Sequence, residues 1–344
     1  MATTTGSRSA LPYPEHDKLG PLGARTSAIH DPAALRNALV RAFEAAAQDA
    51  REAVAAIDKG SAAAAVHASR NALRRARAVL DLAGGALPKS ERSAVKTALQ
   101  QARRALSSVR DHAVAPETLA RMALDDDDRA TAGRVLANAA EAMPAVAEIK
   151  QLLAESAARA AAQVEALQAA LPHDVDWDTV SAGVRDIYGQ ARRASGAAKR
   201  SRAWFHTWRR RSKELGYQLE VIAKHAGPRL AAIHDEIAGV TDALGPAVDL
   251  IMVRDFVTTY GQGVAPEALD HLRGAIDHAL DEAMKSARKT ARDTFRQKPK
   301  KLEKRITKSM RRDLAPPDEA KDEAKDEDKD EDKDDGNGEA ELRG

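Results

Sequence analysis

No stretch of this chain alternates apolar and polar residues as a strand does, and its Gly and Pro residues fall where helices start or stop. Aromatics make up only 3% while Ala, Leu, Glu and Arg abound. Ala and long unbranched side chains lose least on entering a helix. Asp31 and Pro32 read as an N-cap followed by Pro at the first helical position, opening a helix to about residue 58. Gly60 and Ser61 separate it from a helix over 61–83, which Gly84, Gly85 and Pro88 stop. Further helices are expected over 90–112, from Pro116, over 144–170, 176–199, 204–224 and 228–260, and from Pro266, with a kink at Gly245 and Pro246. Asp125 to Asp128 read as a solvated loop, because four consecutive acids on a helix point in different directions. Short links between long helices give antiparallel neighbours, so the expected class is an all-α bundle.

The 344 residues allow one large or two medium domains. The absence of Cys removes disulfides, thiolate metal sites and Cys nucleophiles together. No run of about 18 apolar residues could span a bilayer, and the polar start has no apolar stretch of a secretory signal, so a cytoplasmic, membrane-free protein is expected. The formal net charge of +2 hides its distribution. Residues 316–344 carry 14 acidic and 5 basic side chains, in a Lys-Asp-Glu pattern too polar to fold; residues 285–312 carry 13 basic and 2 acidic. The organisation expected is a disordered 1–30, a helical domain over 31–284 divided at 143/144, a basic helical extension over 285–315 and a disordered acidic tail over 316–344. The extension reads either as a solvated helix or as a polyanion-binding arm.

Two halves of the chain repeat each other. His67-x-x-Arg70-x-x-x-Arg74 returns as His206-x-x-Arg209-x-x-x-Lys213. Asp111 follows His67 by 44 residues and Asp249 follows His206 by 43. Ala115-Pro116-Glu117 reappears as Ala265-Pro266-Glu267. Three matches in one order predict a duplicated helical unit, hence two similar bundles related by a pseudo-twofold.

The basic residues carry the functional signal. His67, Arg70, Arg74 and Arg77 follow 3-4-3 spacing; Lys199, Arg202, His206, Arg209 and Lys213 follow 3-4-3-4. Lys96, Arg103 and Arg110, and separately Arg185, Arg192 and Lys199, recur every seven residues. Such spacings keep side chains on one helical face. Exposed helices ordinarily mix signs, yet between Arg185 and Lys213 the only acid is Asp186. Each stripe also borders an apolar face, so its cations point toward a groove between packed helices. A shared cationic groove focuses positive potential, and Arg offers bidentate donors to phosphate oxygens. A chain of evenly spaced negative charges, polyphosphate or nucleic acid, is the natural partner.

These motifs, with Arg110-Asp111, Tyr188, Arg192-Arg193, Phe205-His206-Thr207-Trp208-Arg209-Arg210-Arg211-Ser212-Lys213, Tyr217 and Asp249, resemble the CHAD family, the conserved-histidine α-helical domain, over about residues 31–254. The resemblance implies two four-helix bundles around a basic channel that binds inorganic polyphosphate, and association with polyphosphate granules. It implies that His67, Arg70, Arg74, Arg192, Lys199, His206, Arg209 and Lys213 contact phosphates. Arg77, Lys96, Arg103, Arg110, Arg185 and Arg202 of the four stripes, with Arg193 and Arg210 of the quoted motifs, are expected in the same site. The Glu-x-Glu-x-Lys strand of the triphosphatase domain that many family members also carry is absent, which implies binding without hydrolysis.

His67 and His206 stand among cations that disfavour a divalent ion, so phosphate donation or a structural bond to a carbonyl is preferred to metal ligation. Asp111 and Asp249 read as carboxylates that orient a channel Arg or His rather than as catalytic groups, and Tyr217 is grouped with them. Trp208 is expected in the core and Trp204 exposed. Nucleotide-phosphate and serine-hydrolase loops are missing, and no cofactor is expected. The competing reading is a DNA-binding protein that uses residues 285–312.

Overall fold

The computed structural model describes residues 32–223 and 228–312; the segments expected to be disordered, 1–30 and 316–344, lie outside them. The described chain is helical: α1 (Pro32–Ala56), α2 (Ala62–Leu82), α3 (Lys89–Ala105), α4 (Ser107–Ala120), α5 (Asp126–Glu141), α6 (Val146–Ala170), α7 (Trp177–Ala198), α8 (Ala203–Ala223), α9 (Pro228–Ala243), α10 (Gly245–Tyr260), α11 (Pro266–Thr290) and α12 (Pro299–Arg312). Among the described residues there is no strand. Local chemistry starts several of these helices. Ser61 Oγ accepts from the Ala64 amide, and Asp176 Oδ1 accepts from the Thr179 amide, each satisfying a donor that the first turn leaves open.

Helix α2 packs on α1, and α8 packs on α7. The α2 and α8 helices then meet each other, as do α4 and α10, and α5 and α11. Helix α6 lies on α1 and α3, so the division expected at 143/144 separates α6 from the helices it packs against. One continuous core runs through both halves, from Leu39 and Phe43 on α1 to Leu73 and Leu80 on α2, Tyr188 on α7 and Trp208 on α8. Trp208 is fully enclosed and Trp204 is 44% exposed, as expected.

Four expectations need correction. Residues 90–112 form two helices, because the chain turns at Leu106, which is completely buried. Pro116 lies inside α4 and opens no helix, whereas Pro266 begins α11; the Ala-Pro-Glu match therefore joins positions with different structure. Asp125 to Asp128 are not a loop: Asp125 Oδ1 caps the Asp128 amide at 2.8 Å, and Asp126 to Asp128 form the first turn of α5, where the helix dipole favours acids. Asp128 is buried and accepts from His271 Nδ1 at 2.9 Å, tying α5 to α11. Asp125, Asp128 and His271 group metal-ligand types within 4.8 Å, but each carboxylate already has a protein donor.

The fourth correction concerns residues 285–312, which are not a free arm. Their first part completes α11, and α12 lays Leu302 and Ile306 into the core against α7. Tyr188 donates to the carbonyls of Thr294 and Gln297, and Trp177 Nε1 donates to Thr307 Oγ1 at 3.1 Å. Burying side chains of this size is worth about 1.5–3 kcal/mol each.

Two glycines give a paired test of the packing. A Cβ on Gly183 of α7 would stand 2.6 Å from the Leu82 carbonyl oxygen at the end of α2, whereas one on Gly133 of α5 meets nothing within 4 Å. Gly183→Ala is expected to lower stability by about 1–3 kcal/mol, because backbone must move. Gly133→Ala is expected to raise it by roughly 0.5–1 kcal/mol through lost unfolded-state freedom. Urea denaturation of both variants measures the difference.

Candidate anion-binding site

The meeting of α2 and α8 opens a cavity of about 320 Å³. Arg70, Arg74 and Arg77 reach it from α2, Arg103 from α3, Arg110 from α4, and Arg209, Arg210 and Lys213 from α8. Gln100, Ser107, Asp111, His206, Thr207, Glu214 and Tyr217 complete the polar lining. Eight cations thus face two lining carboxylates. His67 stands at the exposed rim, close enough for Arg70, Arg74, Arg110 and Lys213 to act on its charge.

The cations fall into two groups. Some are anchored. Arg70 Nη1 donates to the Arg103 carbonyl at 2.8 Å and to Ser107 Oγ at 3.0 Å, so its guanidinium closes the turn at Leu106. Arg110 bonds Asp111 at 2.7 Å and Asp249 at 3.1 Å, the second across 139 residues. Arg77 lies 3.7 Å from Asp81 and 3.6 Å from Glu214. The others are open. Among the described residues Arg74, Arg103, Arg209, Arg210 and Lys213 have no carboxylate in ion-pair reach. Arg74 donates only to Asn71 Oδ1, at 3.1 Å, and Arg209 Nε is buried with no acceptor.

The titration of these groups records the crowding. Burial, reinforced by Arg209 and Arg74, brings Lys213 down to about 7. Arg70 falls to about 9 and Arg74 to about 10, again mainly by burial. Burial also lowers Arg103, Arg209 and Arg210 and both histidines. It raises Tyr217. The empty cavity disfavours its own charge, which is what a site built for an anion does before the anion arrives.

Not every residue expected here is here. Lys96 bonds Asp81 at 3.2 Å, outside the cavity lining. Arg185 pairs with Glu303 of α12 at 3.0 Å, and Arg192 Nε donates to the Phe295 carbonyl. Arg193 joins Lys298 and Lys300 in a separate cleft between α7 and α12. The seven-residue spacing of Arg185 and Arg192 does hold one face of α7, but there Arg185 is engaged by α12 and Arg192, still exposed, by the link that precedes α12. Lys199 and Arg202 lie in the link between α7 and α8, where helical spacing no longer applies. Arg202 pairs with Asp277 and Asp281 at 2.8 Å each. Sequence reasoning missed Glu214, Asp81, Asn71 and Ser107. Glu214, which also bonds Arg211 at 2.6 Å, was detectable at three residues beyond that arginine; Ser107 was not, because its role depends on the break at Leu106.

An all-α protein with a cationic cavity between two central helices is the class that fold and site define. The CHAD-domain family model matches residues 17–258, and the chain belongs to that family. The fold is similar to the crystal structure of the CHAD domain from the plant Ricinus communis, with a TM-score of 0.54 and 20% identity over 76% of this chain and 93% of that one. No curated protein matches the chain. Among the described residues no helix is long and apolar enough to cross a membrane.

Lys213 sets a pH dependence. Between about pH 7 and its ordinary value of 10.5, the unfolded chain holds a proton that the folded Lys213 lacks. Stability therefore rises with pH through that window, and below about 7 the penalty is constant. Lys213→Met is expected to stabilise the ligand-free protein near neutrality, on the order of 1 kcal/mol, and to flatten the rise. Urea midpoints between pH 6 and about pH 9 check both effects; a wild-type midpoint that falls as pH rises would contradict them.

Proposed function

We infer that the protein binds inorganic polyphosphate in the cavity between α2 and α8, holds it without cleaving it, and through it associates with polyphosphate granules in the cytoplasm. The observation that carries the reading is the set of open cations, Arg74, Arg103, Arg209, Arg210 and Lys213, gathered around one hollow. Guanidinium groups match phosphate oxygens in pairs, and a linear polyanion would satisfy several while releasing its counterions. A cavity of about 320 Å³ admits a single phosphate chain and excludes a nucleic-acid duplex. The lining offers no grouped carboxylates for a metal and no nucleophile held by a base, which supports retention over hydrolysis. Membership of the CHAD family fits the same polymer.

A second reading has its own observation. Lys301, Lys304 and Arg305 stand exposed on α12 and form a surface that a duplex could reach. Charge reversal there would remove nucleic-acid binding and spare the cavity.

The deciding variant is Arg74→Gln/Arg209→Gln, because Arg70 also supports the backbone turn and its loss would confuse binding with folding. Affinity for long-chain polyphosphate is expected to fall by about 100-fold or more, at roughly 1.5–3 kcal/mol per charge-assisted contact. The slope of log affinity against log salt should shrink by roughly 1.4. Unchanged affinity would overturn the cavity reading, and shortening of the polymer on incubation would overturn retention without cleavage. The same titrations with duplex DNA separate the α12 surface.

A further inference from the structure

Among the cations that line the cavity, Lys213 is the only amine. Its guanidinium neighbours cannot give up a proton near neutrality and are not nucleophiles; an amine that sheds its proton is both neutral and reactive. Lys213 is placed to do so. Within the described residues no carboxylate lies in ion-pair reach of its Nζ. It is half-buried, one turn after Arg209 on α8 and opposite Arg74 and His67 of α2. Asp242 of α9 and Asp249 of α10 act on it only from a distance. Burial among these cations brings its titration to about 7, so a large share of molecules carry the free amine at neutral pH.

The surroundings also choose its electrophile. Arg74 and Arg209 lack acidic partners and face the same hollow, so a small molecule entering it docks by its phosphate. We propose that Lys213 is a modification site for small acyl phosphates: Arg74 and Arg209 hold the phosphate while the Lys213 amine attacks the adjoining carbonyl carbon. A carbon–nitrogen bond forms and the carbon–oxygen bond to phosphate breaks. Inorganic phosphate leaves with the bonding electron pair, stabilised by the two guanidiniums, and the amine's proton passes to phosphate or solvent. The product is a neutral amide that removes one cation from the cavity and fills part of it. Acyl phosphates of the cell would thereby lower the cavity's affinity for a polyanion. The inference rests on the reading of the cavity as a phosphate site, but it needs only one phosphate and not a polymer.

The test uses the full chain without substitution. The protein is incubated at about pH 8 with acetyl phosphate, and separately with N-hydroxysuccinimidyl acetate, which delivers the same acetyl group without a phosphate. Acetylation of each lysine is followed over time by peptide mass spectrometry. With acetyl phosphate, Lys213 is expected to react at least about tenfold faster than the exposed Lys59 and Lys89, because most of its amine is neutral at that pH and two guanidiniums dock the reagent beside it. That preference should shrink with the uncharged reagent, and inorganic pyrophosphate should slow Lys213 alone. Reaction of Lys213 no faster than the exposed lysines, an equal preference with both reagents, or no effect of pyrophosphate would overturn the proposal. Preferential, pyrophosphate-sensitive acetylation in a preparation with no affinity for long polyphosphate would support it while removing the polymer from the function proposed above.

Discussion

Repulsion between like charges is the constraint on which the rest of this structure depends. At an effective dielectric near 20, two cations about 5 Å apart repel by roughly 3 kcal/mol, and eight of them share one cavity. Nothing in that ring holds itself together. The helices beneath do: Leu73 and Leu80 of α2 and Phe205, Trp208 and Leu215 of α8 are buried in one continuous core, and that burial fixes the faces from which the cations project. The apolar and basic stripes on these helices are two halves of one device, the first setting the geometry that the second would oppose.

The division between anchored and open cations follows from the same constraint. Arg70, Arg77 and Arg110 each meet an acceptor that the fold provides: a carbonyl at a helix break, a pair of acids from α2 and α8, and carboxylates from α4 and α10. Arg70 joins α2 to α3 and α4, Arg77 joins α2 to α8, and Arg110 joins α4 to α10, so they stabilise the frame. Among the described residues Arg74, Arg209 and Lys213 meet no carboxylate and keep their potential for a ligand. A uniform row of arginines in sequence is therefore not uniform in role. Substituting an anchored member would disturb the frame, and substituting an open one would disturb the field.

How much of this was legible depended on whether the cause was local. The helix starts at Ser61 and Asp176 were readable because the capping side chain lies within three residues of the amide it serves. The cations of α2 and α8 were readable because 3-4 spacing within one helix fixes a face. The break at Leu106 was not readable: no Gly or Pro marks it, and the guanidinium that holds it comes from Arg70, 33 residues earlier than the carbonyl it binds. The α7 stripe failed for a related reason. Spacing placed Arg185 and Arg192 on one face but said nothing of which element engages them. Arg185 is held by α12 through Glu303 across 118 residues, and the exposed Arg192 donates to the Phe295 carbonyl in the link before α12. Net charge likewise described residues 285–312 correctly and hid the apolar side, Leu302 and Ile306, that folds them into the core.

Proton and anion binding at this cavity are a single linked equilibrium. Burial and neighbouring cations lower Lys213, His67 and His206 in the free protein, and the negative charge of an entering polyanion opposes that lowering. The ligand must then restore part of the charge that the fold suppressed, so association takes up protons and strengthens as pH falls toward 7. Reciprocally, any chemistry that fixes Lys213 as a neutral group removes its share of that uptake. The lone amine among guanidiniums thus joins the histidines in making the cavity responsive to conditions, which its seven arginines cannot do, since guanidinium stays charged throughout the physiological range.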